Sequence, residues 1–385
     1  MIGFQHKLIW QHIPINIFWL LFLSKGDFIM DLTREAGIIF TNDNCIGCNR
    51  CISGCPIPGA NIAEYHNGKN RIIVNNDNCI HCGNCINICQ HNAREFLDDT
   101  NAFFNNLSDG VPISLLIAPS FYANYPDTAY NILGYLKHLG VKKIYNVSVG
   151  ADIATWAYVN YLSMHPKFKG FSQPCAAVVN YIEKHRPELI KYFMPIHSPL
   201  MCLAIYLREY HTVMDELAFI SPCIAKEDEI TSEETNGLVQ YNITFSHLLK
   251  KIEGIDISGY YAKPDLEDNG MGSLYPVPGG LKENLEYFLS YDGLILHRTN
   301  LKCLAKGPES ISDLVDNYDS AILYDLLQCE SGCVYGTGTD KHEQVVLNSL
   351  KNYNKIRLKY EAVPDRNILY SRAMPRRYRL KSLNE

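Results

Sequence analysis

The 385-residue sequence has few charged residues, no long apolar run and no low-complexity tract. Its 35 basic and 41 acidic residues give a formal net charge of −6, so no basic field points to a nucleic-acid partner. The longest stretch without a polar residue, Ile17–Leu23, has seven residues, whereas a membrane-spanning helix needs about 20. Apolar residues make up 47% of the chain, which excludes a largely disordered protein. We therefore expect a globular protein without a membrane span.

Residues 1–35 form an N-terminal extension with an interrupted apolar stretch. No small-x-small cleavage site follows this stretch, which disfavours a signal peptide. Two interpretations stay open: a surface helix, or an over-extended start of translation with the working protein beginning near Met30.

Cysteine is abundant, with 14 residues, and its spacing is uneven. Ten of the 14 lie within four residues of another cysteine, where most neighbouring pairs cannot reach disulfide geometry without strain. Metal ligation in a reducing cytoplasm fits this spacing better than disulfides do.

Eight cysteines form two runs with the spacing C-x2-C-x2-C-x3-C, within a region that we delimit as residues 36–100. Two such runs are typical of a dicluster 4Fe-4S ferredoxin domain, in which the fourth cysteine of each run ligates the other cluster. Zinc ribbons instead separate two C-x2-C pairs by a longer loop. The predicted ligand sets are Cys45, Cys48, Cys51 and Cys89 for one cluster, and Cys79, Cys82, Cys85 and Cys55 for the other.

Strand-like and helical segments alternate in residues 101–370, which predicts an α/β domain with parallel sheets covered by helices. The predicted strands are Ile113–Ala118, Lys143–Val149, Glu216–Ile220, Gly293–His297 and Ala321–Leu327. The predicted helices are Thr128–Leu139, Ile153–Met164, Ala176–Lys184, Pro199–Tyr210, Leu281–Leu289 and Lys341–Tyr353. Residues 371–385 form a basic tail, which we interpret as solvated.

Six cysteines remain outside the two runs, and their local sequences divide them. Cys202 and Cys303 lie in apolar segments and are predicted to be small buried side chains. The other four each lie at a strand-to-helix transition, where ligands of α/β proteins gather. They are Cys175, Cys223 and the pair Cys329 and Cys333, which would share one face of a helix. Four thiolates from three loops could hold a third 4Fe-4S cluster in a cleft.

The order Pro-Cys, Ser-Pro-Cys-x-x-Lys and Cys-x-x-Gly-Cys after a dicluster domain resembles the iron-only (di-iron) hydrogenases. The resemblance implies a two-lobed hydrogenase-like domain in which Cys175, Cys223, Cys329 and Cys333 hold a 4Fe-4S cube. Cys333 would bridge this cube to a di-iron unit that carries CO and cyanide, and Lys226 would face a cyanide ligand. Motif neighbours expected at the cofactor are Pro174, Ser221, Pro222 and Gly332.

Several residues depart from the catalytic members of that family. Pro174 stands where they carry the proton-donating cysteine, Ala176 replaces a proline, and Ser221 replaces a methionine. The helix that normally supplies relay carboxylates offers Trp156, Ala157 and Tyr158. These departures resemble the sensory branch of the family, so we expect slow or sensory dihydrogen chemistry.

The expected activity is that of a ferredoxin-type hydrogenase, provided that the di-iron unit is present. The expected partners are dihydrogen and protons, a ferredoxin-like redox protein or a signalling protein, and hydrogenase maturation proteins. Two alternatives stay open: a cluster-binding assembly protein without a di-iron unit, similar to the narf-like relatives of eukaryotes, and an electron-transfer module joined to an unrelated α/β domain.

Overall fold

The N-terminal part of the chain is built from two small sheets and two single-turn helices. The computed structural model describes residues 37–340, except 67, 236, 267–270, 290–300 and 305–322, together with residues 351 and 354. The elements of this part are β1 (Ile39–Thr41), α1 (Arg50–Ser53), β2 (Asn61–His66), β3 (Lys69–Val74), α2 (Asn84–Asn87) and β4 (Arg94–Phe96). Strands β1 and β4 pair antiparallel, and so do β2 and β3. This is the expected ferredoxin-like arrangement.

Two parallel sheets form the rest of the described chain. The elements follow in the order α3 (Thr100–Ser108), β5 (Ile113–Ile117), α4 (Ser120–Asn124), α5 (Ala129–His138), β6 (Ile144–Asn146), α6 (Ser148–Met164), β7 (Gly170–Phe171), α7 (Ala176–His185), α8 (Pro199–Tyr210), β8 (Glu216–Ser221), α9 (Lys226–Thr231), β9 (Tyr241–Thr244), α10 (Phe245–Lys251), α11 (Gly280–Leu289), β10 (Leu301–Leu304) and β11 (Leu323–Leu326). One sheet has the order β6-β5-β8-β9 and the other β10-β11-β7. The predicted two-lobed α/β fold is confirmed.

The main core lies around the four-stranded sheet. All five residues of β5 are buried, as expected for a central parallel strand that is covered on both faces. Helices α6 and α8 contribute Ala154 and Leu203, neither of which is exposed at all. The position of Gly150 in α6 requires glycine, because an added Cβ would lie 2.0 Å from the carbonyl oxygen of Pro199. Helices α6 and α8 thereby approach each other closely.

Several element boundaries differ from the sequence prediction. Strand β6 ends at Asn146, not Val149, because the Asn146 side chain accepts a hydrogen bond from the Ser148 backbone N–H at 3.0 Å and the helix begins there. Strands β9 and β10 were not predicted, since each has only four residues. The extension 1–35, the tail 371–385 and the predicted strand Gly293–His297 lie outside the described residues, as does the predicted helix Lys341–Tyr353 apart from Lys351.

No described helix is long and apolar enough to cross a lipid bilayer.

Candidate functional site

A small cavity near the N-terminus, here called the first-cluster cavity, is lined by cysteines from both runs. They are Cys45, Cys48, Cys51 and Cys89. Cys48 is exposed and Cys51 is buried in α1. The structure therefore brings together the four thiols of the first predicted ligand set, including the one from the second run.

The thiols of the second predicted set also lie near one another. Burial, with smaller contributions from the neighbouring thiols Cys85, Cys79 and Cys55, raises the pKa of Cys82 to about 12. Burial likewise raises the pKa of Cys85 to about 12, with smaller contributions from Cys79, Cys55 and Cys51. Cys51 belongs to the first set, so the two predicted clusters would be neighbours.

The loop that carries Cys79 and Cys82 is fastened to the α/β domain. The Lys184 ammonium donates a hydrogen bond to the Cys79 carbonyl at 2.7 Å. The His81 imidazole, 6% exposed, contacts the Asp228 carboxylate at 2.8 Å. The Asn180 amide donates to the same carboxylate at 2.6 Å. These contacts fix the position of the second set relative to α7 and α9.

A second cavity, here called the thiol cavity, is lined by cysteines from three distant loops. They are Cys175, Cys223, Cys329 and Cys333, and Cys82 of the dicluster region lines the same cavity. Burial raises the pKa of Cys223 to about 12, with a further contribution from Cys175. The pKa of Cys329 is raised by burial and then by Cys223, Cys175 and Cys333. Such mutual effects require the four thiols to be close together.

Each of these cysteines follows the carboxyl end of a parallel strand. Cys175 comes after β7 and caps the N-terminus of α7, Cys223 lies two residues after β8, and Cys329 lies three residues after β11. Strand β8 belongs to the four-stranded sheet, whereas β7 and β11 belong to the other. The thiol cavity therefore lies where the carboxyl ends of both sheets meet.

The prediction that Cys329 and Cys333 share a helix face is wrong. Cys329 lies in a bend, and Cys333 lies in the single 3-10 turn Gly332–Tyr335. Gly332 has φ +62°, and an added Cβ would lie 2.4 Å from the Pro276 carbonyl oxygen. Only glycine allows this close turn, which returns the chain to the cavity.

A third cavity, here called the apolar cavity, adjoins the thiol cavity. Cys175, Cys223 and Cys333 line both cavities. Most of the other lining side chains are apolar or weakly polar: Ala118, Pro119, Ser120, Val147, Ala151, Pro174, Ala176, Pro199, Leu200, Phe219, Pro222, Tyr275, Pro276, Leu281 and Leu327. Among the described lining residues, Lys226 and Asp325 are the two that carry a charged group.

Lys226 is held at the wall of the apolar cavity. Its ammonium donates to the Pro174 carbonyl at 3.1 Å and forms an ion pair with Glu229. Burial lowers the pKa of Lys226, but the Glu229 carboxylate raises it by more, so its net shift is upward. Lys226 therefore places a permanent positive charge beside Cys223 and Cys333.

The four predicted motif neighbours occupy different places. Pro174 and Pro222 line the apolar cavity, and Gly332 lines the thiol cavity. Ser221 is not among the described lining residues of either cavity. Its hydroxyl accepts from the Cys223 N–H at 3.1 Å and donates to the Cys223 carbonyl at 3.0 Å, so it supports the loop that carries that thiol.

Sequence reasoning missed two charged residues and misjudged one cysteine. Arg94 is buried in β4 and lines the first-cluster cavity, with its guanidinium 3.5 Å from the Cys51 sulfur. Asp325 is buried in β11 and faces the apolar cavity. Cys303 is only partly buried, and its thiol donates to Asp325. Cys202, by contrast, is 1% exposed in α8, as predicted.

The donor chemistry of these cavities fits iron–sulfur clusters. Among the described residues, no three ligand side chains are arranged to hold a single metal ion. The cysteines instead surround cavities, and four thiolates are the ligands of a 4Fe-4S cluster. The apolar cavity, with a buried ammonium at its wall, fits an uncharged or anionic group attached to Cys333.

Comparison with protein-family profiles shows which family the chain belongs to. The profile of the iron-only hydrogenase large subunit, C-terminal domain, matches residues 112–337, which is more than half of the chain. The chain belongs to the iron-only hydrogenase family. The profile of the 4Fe-4S dicluster domain matches residues 37–90, so this family member carries an N-terminal iron–sulfur domain. The alternative of an unrelated α/β domain is wrong.

Solved structures of FeFe-hydrogenases share the fold. Two single-glutamate variants of the FeFe-hydrogenase HydA1 from Chlamydomonas reinhardtii are similar to the chain, with TM-scores of 0.52 and 0.51 and identities of 17% and 16%. The first match covers 67% of this chain and 88% of the other, and the second covers 69% and 94%.

Proposed function

We propose that this iron-only hydrogenase relative interconverts dihydrogen with protons and electrons in the apolar cavity, with two ferredoxin-type clusters as the electron route. The main support for the proposal is that the thiol cavity and the apolar cavity share a wall, which is formed by Cys175, Cys223 and Cys333. A group attached to Cys333 in the apolar cavity would be in direct contact with a cluster in the thiol cavity.

The first and third sets of cluster ligands are assigned from the cavities that they line, and the second set from the closeness of its thiols. Cys45, Cys48, Cys51 and Cys89 hold the first cluster, Cys79, Cys82, Cys85 and Cys55 hold the second, and Cys175, Cys223, Cys329 and Cys333 hold the third. Burial raises the pKa of several of these thiols, so cluster binding at neutral pH must release their protons. Cys82 connects the second cluster to the third, since it lines the thiol cavity as well.

The apolar cavity would hold the di-iron unit. When bound, that unit supplies the metal centre at which dihydrogen is split or formed. Lys226 balances the negative charge of a cyanide ligand, and Glu229 together with the Pro174 carbonyl keeps its ammonium in place. The apolar walls keep bulk water away from the site.

Slow turnover follows from the wall residue Pro174. Proline has neither an ionisable side chain nor a backbone N–H, so position 174 cannot deliver protons to the apolar cavity. Positioned acid–base groups contribute about 10²- to 10⁴-fold to proton-transfer rates. Either a slow enzyme or a sensor with a signalling partner is compatible with such a site.

Infrared spectroscopy after co-expression with hydrogenase maturation proteins tests the proposal. We expect bands of CO and cyanide and about fourteen iron atoms, twelve in three cubes and two in the di-iron unit. Cys333→Ser should remove the bands while the ferredoxin-type clusters remain visible by electron paramagnetic resonance. Cys202→Ser is the matched control, because Cys202 is a buried thiol that lines neither cavity. Wild-type protein that contains three clusters but lacks the bands would refute the di-iron assignment.

The remaining alternative is a cluster-binding assembly protein without a di-iron unit. One observation favours it: the Lys226 charge is already balanced by Glu229. In that case Lys226→Met would affect only folding stability, whereas in a hydrogenase the same variant should also shift or abolish the cyanide bands.

A further inference from the structure

Asp325 is a buried carboxyl group on the wall of the apolar cavity. It lies in β11, is 3% exposed, and is the one carboxyl among the described residues that line this cavity. The same cavity contains Cys333, so a group attached to that thiol would share its space with Asp325. Placing a carboxyl in such apolar surroundings is costly unless neighbouring groups stabilise it.

Three neighbours hold the carboxyl in place. The Ser172 hydroxyl donates to Oδ1 at 3.3 Å, and the Lys282 backbone N–H and the Cys303 thiol also donate to the carboxyl group. Ser172 is itself fixed, because its oxygen accepts from the Leu326 N–H at 3.0 Å. Cys303 is opposite Asp325 in the register of the parallel strands β10 and β11. The carboxyl thus joins a partly exposed thiol to a buried cavity.

Two other groups at the cavity wall, Tyr275 and Lys226, keep their protons at neutral pH. Burial raises the pKa of Tyr275 well above its usual value, and Lys226 keeps its charge through Glu229. Pro174 has no proton to give. Burial raises the pKa of Asp325 to about 6, with its hydrogen bonds opposing the shift, so its two protonation states are both accessible near neutrality. A general acid or base works best with a pKa close to the working pH.

We propose that Asp325 is the proton-exchanging group of the apolar cavity, with Ser172 and Cys303 as its positioning residues. This inference rests on the proposed function. Formation of one dihydrogen molecule consumes two protons and two electrons, and the electrons arrive through the iron–sulfur clusters. For each proton, the carboxyl O–H bond of Asp325 would break as the proton passes to the di-iron unit, where two protons and two electrons combine in the new H–H bond. The carboxylate would then regain a proton from bulk solvent through water on the side of Cys303. Dihydrogen oxidation runs the same steps in reverse.

The proposal predicts that the rates of dihydrogen formation and dihydrogen oxidation depend on pH in opposite ways. Dihydrogen formation needs protonated Asp325, so its rate should fall as the pH rises through the pKa. Dihydrogen oxidation needs the carboxylate, so its rate should rise over the same interval. The charged or titratable groups around Asp325 are Lys226, Cys333 and Tyr275 from the cavity, Tyr158 from α6 and Cys303 from β10. A negatively charged cluster at Cys333 moves the midpoint upward from about 6.

The first test does not use activity. Infrared difference spectra of the full chain, loaded with its 4Fe-4S clusters but without a di-iron unit, should show the C=O band of a carboxylic acid that disappears as the pH rises. Asp325→Asn should remove this band. The matched control is Asp152→Asn, since Asp152 is also a buried carboxyl (9% exposed) but does not line the cavity; it should leave the band in place. Iron content and visible absorption verify that each variant is folded.

The second test uses the maturated protein. Asp325→Asn should lower the turnover rate more than tenfold and remove its dependence on pH near neutrality. Asp325→Glu should retain part of the wild-type rate. Cys303→Ala should shift the pH midpoint of the turnover rate, whereas Cys303→Ser, which keeps a hydrogen-bond donor, should not. A missing Asp325 band, or wild-type turnover and pH profile in Asp325→Asn, overturns this assignment. A sample without CO and cyanide bands refutes the proposed function instead.

Discussion

Replacement of Asp325 by asparagine should change how the stability of the protein depends on pH. The carboxyl has a pKa of about 6 in the folded protein and an ordinary value of 3.8 without its surroundings. Because the folded pKa is the higher one, the folded state binds the proton more tightly, and stability is lost as the pH rises from about 4 to about 6. At 1.36 kcal/mol for each pKa unit, this loss is about 3 kcal/mol.

Asparagine keeps the shape of the side chain but does not titrate. Altered hydrogen bonds with Ser172 and Cys303 change the free energy of unfolding of Asp325→Asn by an amount that does not depend on pH. Only the pH-dependent part of the stability difference between variant and wild type reports the titration of Asp325. Between pH 5 and pH 7.5 the variant should gain about 1–2 kcal/mol relative to the wild type. For a domain of this size that corresponds to a relative rise in melting temperature of about 1–4 °C.

Thermal unfolding of the cluster-loaded wild type and variant, followed by circular dichroism, measures this difference. The relevant quantity is the gap between the two melting temperatures as a function of pH. A constant gap from pH 5 to pH 8 would show that Asp325 does not titrate in this interval, and the reasoning about its burial would be refuted.

Two further substitutions test the cavity and the electron route. Pro174→Cys places an ionisable thiol on the cavity wall and leaves the backbone carbonyl that accepts from Lys226. The rate of dihydrogen formation should therefore increase about tenfold or more. An unchanged rate in a sample with intact CO and cyanide bands contradicts the argument that Pro174 limits proton delivery. Arg94→Gln removes a buried positive charge 3.5 Å from the Cys51 sulfur, so the reduction potential of the first cluster should fall by on the order of 50 mV in a redox titration. Arg71→Gln is the control, since Arg71 is more exposed and pairs with Asp43, and an equal fall in both variants would count against a specific role for Arg94.

The sequence predicted which cysteines lie together, because their spacing is encoded locally. The spacing of the two runs indicates which thiols are neighbours, and the position of Cys223 after an apolar segment indicates the carboxyl end of a strand. Local spacing failed at Cys329 and Cys333, where a separation of four residues suggested a helix. The close approach of Gly332 to Pro276 decides the turn there, and that contact joins residues far apart in the sequence.

The two missed charges have different explanations. A carboxyl within the apolar segment Ala321–Leu327 is a signal that could have identified Asp325 as a buried group. Nothing in the sequence indicates its partner Cys303, because their contact depends on the register of two parallel strands. Arg94 had no sequence signal at all, since its contact with Cys51 spans 43 residues between the two cluster runs.

The proposed assignments separate the electron route from the proton route. Cys48 is exposed, the Cys51 and Cys85 thiols are close enough to affect one another, and Cys82 lines the thiol cavity. In the proposed route, electrons would therefore enter at the first cluster and reach the third through the second. Asp325 lies in β11 and lines the apolar cavity, and in the proposed proton route it takes protons from water on the side of Cys303. The two routes meet only at the apolar cavity. A substitution in the electron route should therefore change a reduction potential and leave the pH dependence of the rate unchanged. A substitution in the proton route should have the opposite effect.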